Sequence, residues 1–320
     1  MENIWYNCFL EALYKKYPHR PQLIEALMDL LSIEREAVYR RLRNEVLFSS
    51  NEIVKIAGAW NISIDEILNI NIPQIQMFKV TMLQYVNPSE QELKSMQQMI
   101  NFIDVFNSSP NAEYMEVSNM LTRSLVTGFP YLARYYVFKW AYQYNLDENT
   151  LPFSQVVYLD KLRQIGLNCY RKMKDIPVTN YIWDHMLFNY LVNDIKYYTS
   201  IYLITEDEKQ LIKNDIHALL NYMSEVSSKG SFPETGNTVN LYISQVNIHT
   251  NYNYFHSDTM KVSRVRAFVK YDITSTNEEM ANNFHQWMNL KKRSCVKISG
   301  VDERHRVDFF MKQRQLIDSL

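Results

Sequence analysis

The chain is 320 residues long, with 47% hydrophobic and 22% charged residues, a balance that excludes wholesale disorder and gives material for about two domains. Its 34 Lys and Arg nearly cancel 35 Asp and Glu, so the bulk charge singles out neither a nucleic-acid partner nor a strongly acidic or basic one. Only 6 glycines are present, and no two stand close enough to cradle a phosphate, which excludes the usual dinucleotide and P-loop sites.

In chain order, apolar residues recur at helical spacing over 4–17, ahead of Pro18. A second helix starts at Pro21, whose missing amide donor is harmless in a first turn, and runs to Leu31; a third covers 34–44. Ser49 stands three residues before Glu52, and Ser63 three before Glu66, each a capping-box pattern opening a helix, over 51–60 and 64–69. Longer helices are predicted over 89–106, 112–127, 131–144, 154–174, 179–204 and 206–227. Alternation over 239–246 and 262–273 predicts strands, and helices over 277–290 and 303–317 close the chain. The expected fold is therefore mainly α: a five-helix bundle in 1–72, a larger helical domain in 73–236 and a small α+β segment in 237–320.

The first bundle carries the informative stretch. Leu27-Met28-Asp29-Leu30-Leu31-Ser32-Ile33-Glu34-Arg35-Glu36-Ala37-Val38-Tyr39-Arg40 resembles the helix-turn-helix of lambda-repressor-like (Xre/Cro-type) regulators, whose pattern runs L-A-x-x-L-G-V-S-x-x-T-V-S-R. Lys55-Ile56-Ala57-Gly58-Ala59-Trp60-Asn61-Ile62-Ser63-Ile64-Asp65-Glu66-Ile67-Leu68 is similar to the two helices that follow in that family. The resemblance covers about residues 20–70. The sequence departs from the pattern at Ile24, where Gln is usual, at Met28 for Ala, at Ser32 for the turn Gly, and at Asn44 for the Gly after the second helix.

The resemblance implies double-stranded DNA as partner, dimerisation over two half-sites and a regulatory role for the remainder of the chain. With Val38 and Leu42 turned inward, Glu34, Arg35, Glu36, Tyr39, Arg40 and Arg43 face outward. Arg35, Glu36, Tyr39, Arg40 and Arg43 are the expected DNA contacts: guanidinium forks pair with guanine or phosphate, and a tyrosine offers its ring or hydroxyl. Glu34 and Glu36 brace the arginines or accept from a cytosine amino group. The competing reading is a solvated helix face, with the chain a helical scaffold that docks a protein; the 8 basic against 10 acidic residues in 1–70 favour it.

Other candidates point to chemistry less directly. His185 beside Asp184, His249 near His256, and His285 lack metal-ligand spacing and read as structural histidines. Cys8, Cys169 and Cys295 are isolated and read as reduced thiols. Trp140, Trp183, Tyr135, Tyr136, Tyr190, Tyr197, Tyr198 and Tyr202 could line a pocket for an effector, but as a stripe they read as core. Lys291, Lys292, Arg293, Lys297, Arg304 and Arg306 make the last segment basic and read as a solvated face. The run 181–204 is too polar to span a bilayer and reads as a core helix. With no signal peptide pattern at the amino terminus, the expectation is a cytoplasmic protein without membrane contact, without cofactor or metal, acting by binding and not by catalysis.

Overall fold

The structure, a computed structural model, describes residues 4–64, 67, 79–80, 90–144, 151–156, 160–267, 271–300 and 302–320. It divides into two compact units, Met1–Met77 and Phe78–Leu320.

The first unit is helical. α1 (Ile4–Lys16), α2 (Arg20–Leu31), α3 (Arg35–Leu42) and α4 (Ser50–Trp60) follow one another through short turns. Pro21 sits in the first turn of α2, and Ser32 ends that helix at φ 54°, ψ 47°. A left-handed residue reverses the chain within one position, which is why glycine is common there. α4 opens with the complete capping box of Ser49 and Glu52. Tyr6, Phe9, Leu23, Leu27, Val38 and Ile56 are among the buried residues that hold the unit together. The fifth expected helix, over 64–69, and the Ser63–Glu66 box lie largely outside the described residues.

The second unit is α/β, which overturns the mainly α expectation. Among the described residues it is built on an eight-stranded sheet in the order β1-β7-β6-β5-β2-β3-β4-β8. The strands are β1 (Lys79–Val80), β2 (Glu113–Ser118), β3 (Val178–Asp184), β4 (Thr238–Ser244), β5 (Tyr252–His256), β6 (Lys261–Ala267), β7 (Tyr271–Ser275) and β8 (Cys295–Lys297). β2, β3 and β4 are parallel, and the other pairings are antiparallel.

The helices are α5 (Glu90–Asn107), α6 (Arg123–Val126), α7 (Pro130–Tyr144), α8 (Asp160–Met173), α9 (Leu187–Ser200), α10 (Glu206–Lys229), α11 (Glu278–Lys291) and α12 (Glu303–Asp318). Two crossovers carry the chain between the parallel strands, as parallel pairing requires: α6 to α8 link β2 to β3, and α9 with α10 links β3 to β4.

The main core lies on one face, where Tyr114, Tyr181, Trp183, Leu241 and Phe255 of the sheet meet Phe106, Leu132, Phe188 and Leu219 of the helices. On the other face α11 lays Ala281, Phe284 and Met288 over Met115, Val117 and Ile182. No helix among the described residues is long and apolar enough to cross a membrane.

Two corrections share one cause. The run 179–204 is not one helix: its first residues are β3, and α9 begins only at Leu187. The helix predicted over 112–127 is β2 followed by the one-turn α6. Both strands are buried along nearly their whole length, so they lack the polar–apolar alternation that marks a half-exposed strand, and short apolar runs of this type are indistinguishable from helix by period. The sheet also crosses the expected boundary at 236/237, because β5 returns to pair with β2.

Candidate functional site

In the first unit α2 and α3 are joined by the turn at Ser32 and span the stretch whose sequence resembles a helix-turn-helix. Leu23, Leu27 and Leu31 of α2 and Val38 and Leu42 of α3 are buried, while Met28 and Ile33 pack at the margin of the core. This inward stripe fixes the outward one. Arg35, Arg40 and Arg43 expose 57%, 55% and 51% of their side chains, Glu34 and Glu36 are exposed, and Tyr39 is half-buried.

The outward arginines are only loosely tied. Arg35 lies 3.9 Å from Glu25, Arg40 3.8 Å from Glu45, and Arg43 3.5 Å from Glu45. Exposed pairs at such lengths contribute between about 0 and 1 kcal/mol and are screened by salt. The arginine partners are thus Glu25 and Glu45, and not Glu34 and Glu36 as the helical spacing suggests. The Arg43 guanidinium also lies 5.4 Å from the centre of the Tyr39 ring. Ser32 and Asn44, which replace the glycines usual in the resembled motif, both take positive φ, 54° and 63°.

Arg41 is different from its neighbours. Its Nε and Nη2 donate to Glu52 at 3.3 and 2.9 Å, and its Nη1 donates to the Ala37 carbonyl at 3.1 Å. It belongs to the frame, so the cationic face of α3 consists of Arg35, Arg40 and Arg43 alone.

The other sequence candidates separate. Trp183, Tyr135, Tyr136, Tyr198 and Trp140 are buried, whereas Tyr190, Tyr197 and Tyr202 are exposed. Arg306, read as part of a solvated face, is buried and donates to the Ile298 and Gly300 carbonyls. His256 and His285 stack at 6.3 Å, each also near the Tyr254 ring, but His249 does not join them. Among the described residues no three His, Cys, Asp or Glu are gathered so as to hold a metal.

The second unit contains a feature the sequence reading missed. A cleft of about 420 Å³ opens between the sheet and α5 to α8, with Met96, Phe102, Trp140, Phe255, Arg264 and Glu116's partner Tyr114 among its neighbours. That volume lies in the range of small-molecule pockets. Glu116 is fully buried behind it, and burial raises its carboxyl to about 8 against the opposing pull of the Tyr114 hydroxyl and the Arg266 charge.

Proton counting agrees with that direction. The Tyr114 hydroxyl lies 2.7 Å from Glu116 Oε2 and 2.5 Å from Asn253 Oδ1, and one hydroxyl proton serves only one acceptor. A protonated Glu116 donates to Tyr114, which donates to Asn253, and both contacts are satisfied. Trp140 was the one aromatic candidate that lines this cleft. The rest of the site comes from residues brought together by strand register, for which the local pattern carries no signal. Comparison of the chain with protein-family models, with curated proteins and with solved structures finds no match.

Proposed function

We propose that the chain is a DNA-binding transcriptional regulator, in which α3 enters the major groove of double-stranded DNA and the second unit supplies dimerisation or signal sensing. The observation that carries this reading is the division of α3: Val38 and Leu42 are buried against α2 while Arg35, Arg40 and Arg43 project outward. In this reading Arg35, Glu36, Tyr39, Arg40 and Arg43 touch DNA. Phosphate contacts set register, and outward residues of α3 set sequence preference. A dimer of such units recognises a palindromic operator.

The test is selection of bound fragments from genomic DNA by the full chain, followed by fluorescence anisotropy of the enriched sequence across salt concentrations. Affinity falls steeply as salt rises when several phosphates are contacted. Replacing Arg40 and Arg43 with Ala abolishes retention without changing the circular dichroism spectrum; unchanged retention refutes their assignment. The pairing of all three outward arginines with Glu25 and Glu45 favours a second reading, a bundle that docks a protein within a helical scaffold, and failure to enrich any DNA sequence selects it.

A further inference from the structure

The sheet face that carries the main core bears polar residues at Ser118 and Thr179, at the ion-paired Arg266 and Asp272, and along one line that crosses four strands. Cross-strand register sets Glu116 opposite Asn253, Asn253 opposite Arg264, and Arg264 opposite Thr274. Opposed residues of neighbouring strands point to the same face, so β2, β5, β6 and β7 contribute one polar row running from the buried interior out along the cleft floor. One step away, the equivalent row is Tyr114, Phe255 and Val262, which is ordinary core. A buried polar group costs free energy unless it is partnered, so a whole row of them beneath a cavity requires a reason.

Arg264 is where the row is least satisfied. The ion pair in this part of the sheet belongs to its neighbour, since Asp272 holds Arg266 at 2.8 Å. Arg264 forms no ion pair among the described residues; its Nη1 meets only the Met99 sulfur, at 3.0 Å. Its guanidinium otherwise lies 5.3 Å from the ring centres of both Phe102 and Phe255. Ring faces hold a cation by their quadrupole but take none of its directed N–H bonds, and a guanidinium has five. Burial lowers the Arg264 pKa, the mark of a charge drawn away from water. The guanidinium thus lines the cleft with most of its donors unpartnered among the described residues.

The surroundings specify what would complete it. Glu116, at the inner end of the same row, is kept protonated by its burial and so sets no negative charge against an incoming anion. Asp272, the acid that lines the cleft and acts on the Arg264 charge, is held by Arg266; Asn253 and Thr274 add neutral polar groups on the floor, and Met96, Phe102, Phe255 and Trp140 give the cleft apolar walls. A planar fork matches a carboxylate at two points, and the walls match an apolar body.

We propose that this cleft is the binding site for a small amphipathic organic carboxylate, with its carboxylate on Arg264 and its hydrocarbon or aromatic part between α5, α7 and the Phe255 ring. The inference does not depend on DNA binding, and its readouts use no DNA.

The full chain is titrated by calorimetry and by thermal unfolding with decanoate, phenylacetate and indole-3-acetate, each matched by its carboxamide, and with 4-nitrophenyl phosphate. At least one carboxylate binds ten-fold or more tightly than its amide and raises the Tm. Arg264→Met weakens that carboxylate at least ten-fold and leaves the amide unaffected, while Arg264→Lys retains part of the binding. Should Arg264→Met not fold, Met96→Trp fills the cleft from α5 with the row intact and removes binding. Carboxylates that bind no better than their amides, a preference for the phosphate ester alone, or full carboxylate binding by Arg264→Met or Met96→Trp overturns the proposal.

Discussion

Arg41 reaches from α3 to the start of α4 and holds Glu52 with two nitrogens, Nε on Oε2 at 3.3 Å and Nη2 on Oε1 at 2.9 Å. Glu52 is also the returning half of the α4 capping box, with Oε2 accepting from the Ser49 amide at 2.7 Å. On the opposite side, Tyr6 Oη donates to the Arg41 carbonyl and accepts from the Phe48 amide, both at 3.1 Å. One arginine thereby ties three helices and the loop between α3 and α4.

Replacing Arg41 with Ala therefore lowers the stability of the first unit by about 1–3 kcal/mol, the usual cost of removing a charged partner from partly buried acceptors. Replacing Arg40, the preceding residue and about a quarter of a turn away on the helix but exposed, changes stability by less than about 0.5 kcal/mol. Urea unfolding of the two variants checks the contrast; equal effects refute the assignment of Arg41 to the frame. The same contacts set an acid limit. Burial pushes the Glu52 carboxyl up, but the Ser49 amide, the Arg41 hydrogen bonds and the Arg41 charge outweigh it and leave its pKa below 4.5. A depressed carboxyl contributes stability above its unfolded pKa and loses it as pH falls through the folded one.

Ser32 sits at φ 54° in the turn between α2 and α3. A left-handed conformation costs a residue with a Cβ roughly 1–2 kcal/mol, part of which glycine returns as chain entropy. Ser32→Gly raises the unfolding midpoint by the equivalent of about 0.5–1 kcal/mol, and Ser32→Val lowers it. Thermal unfolding reads both; a destabilised glycine variant contradicts the turn geometry.

Glu116 gives the second unit an alkaline sensitivity. Its carboxyl moves from 4.5 to about 8 on folding, through burial first, so between those values the folded state binds more protons than the unfolded one. Stability is then greatest below the unfolded pKa, declines as pH rises, and levels off above about 8. The whole effect is of the order of 3–5 kcal/mol. Glu116→Gln keeps a hydrogen-bond donor toward Tyr114 without the ionisation, so its advantage over the natural chain grows from pH 5 to pH 8. Denaturant unfolding at four or five pH values measures this, and a pH-independent difference refutes it.

Gly128 marks a close approach. A Cβ built there comes within 2.7 Å of the Tyr170 ring, and that ring is held in turn by the Lys174 ammonium, 3.7 Å from its centre. Gly128→Ala costs about 1–3 kcal/mol by overpacking. Pairing it with Tyr170→Leu restores part of the loss, and a double-mutant cycle shows the coupling; additive effects would mean that the two residues do not touch.

The sequence by itself determined the helices whose signals are local. Pro21, the Ser49–Glu52 box and the apolar spacing of Leu23, Leu27, Leu31, Val38 and Leu42 act within a few residues of one another, and α2 to α4 follow them closely. α10, α11 and α12 were legible from their apolar spacing, and the structure adds caps at Thr205, Asn277 and Asp302. β4 and β6 were legible because they alternate. β2 and β3 were not, since a strand buried on both faces has no polar side to mark its period.

The candidate sites divide in the same way. The outward face of α3, with Arg41 left off it, could be read from helical periodicity, but that Arg41 meets Glu52 was decided by packing, because it depends on where α4 lies. The row of Glu116, Asn253, Arg264 and Thr274 was decided wholly by tertiary structure. Glu116 lies on β2, far in the chain from the consecutive strands β5, β6 and β7 that carry the other three, and strand register, a hydrogen-bonding pattern stabilised by the common core, is what brings their side chains to one face beneath one cleft.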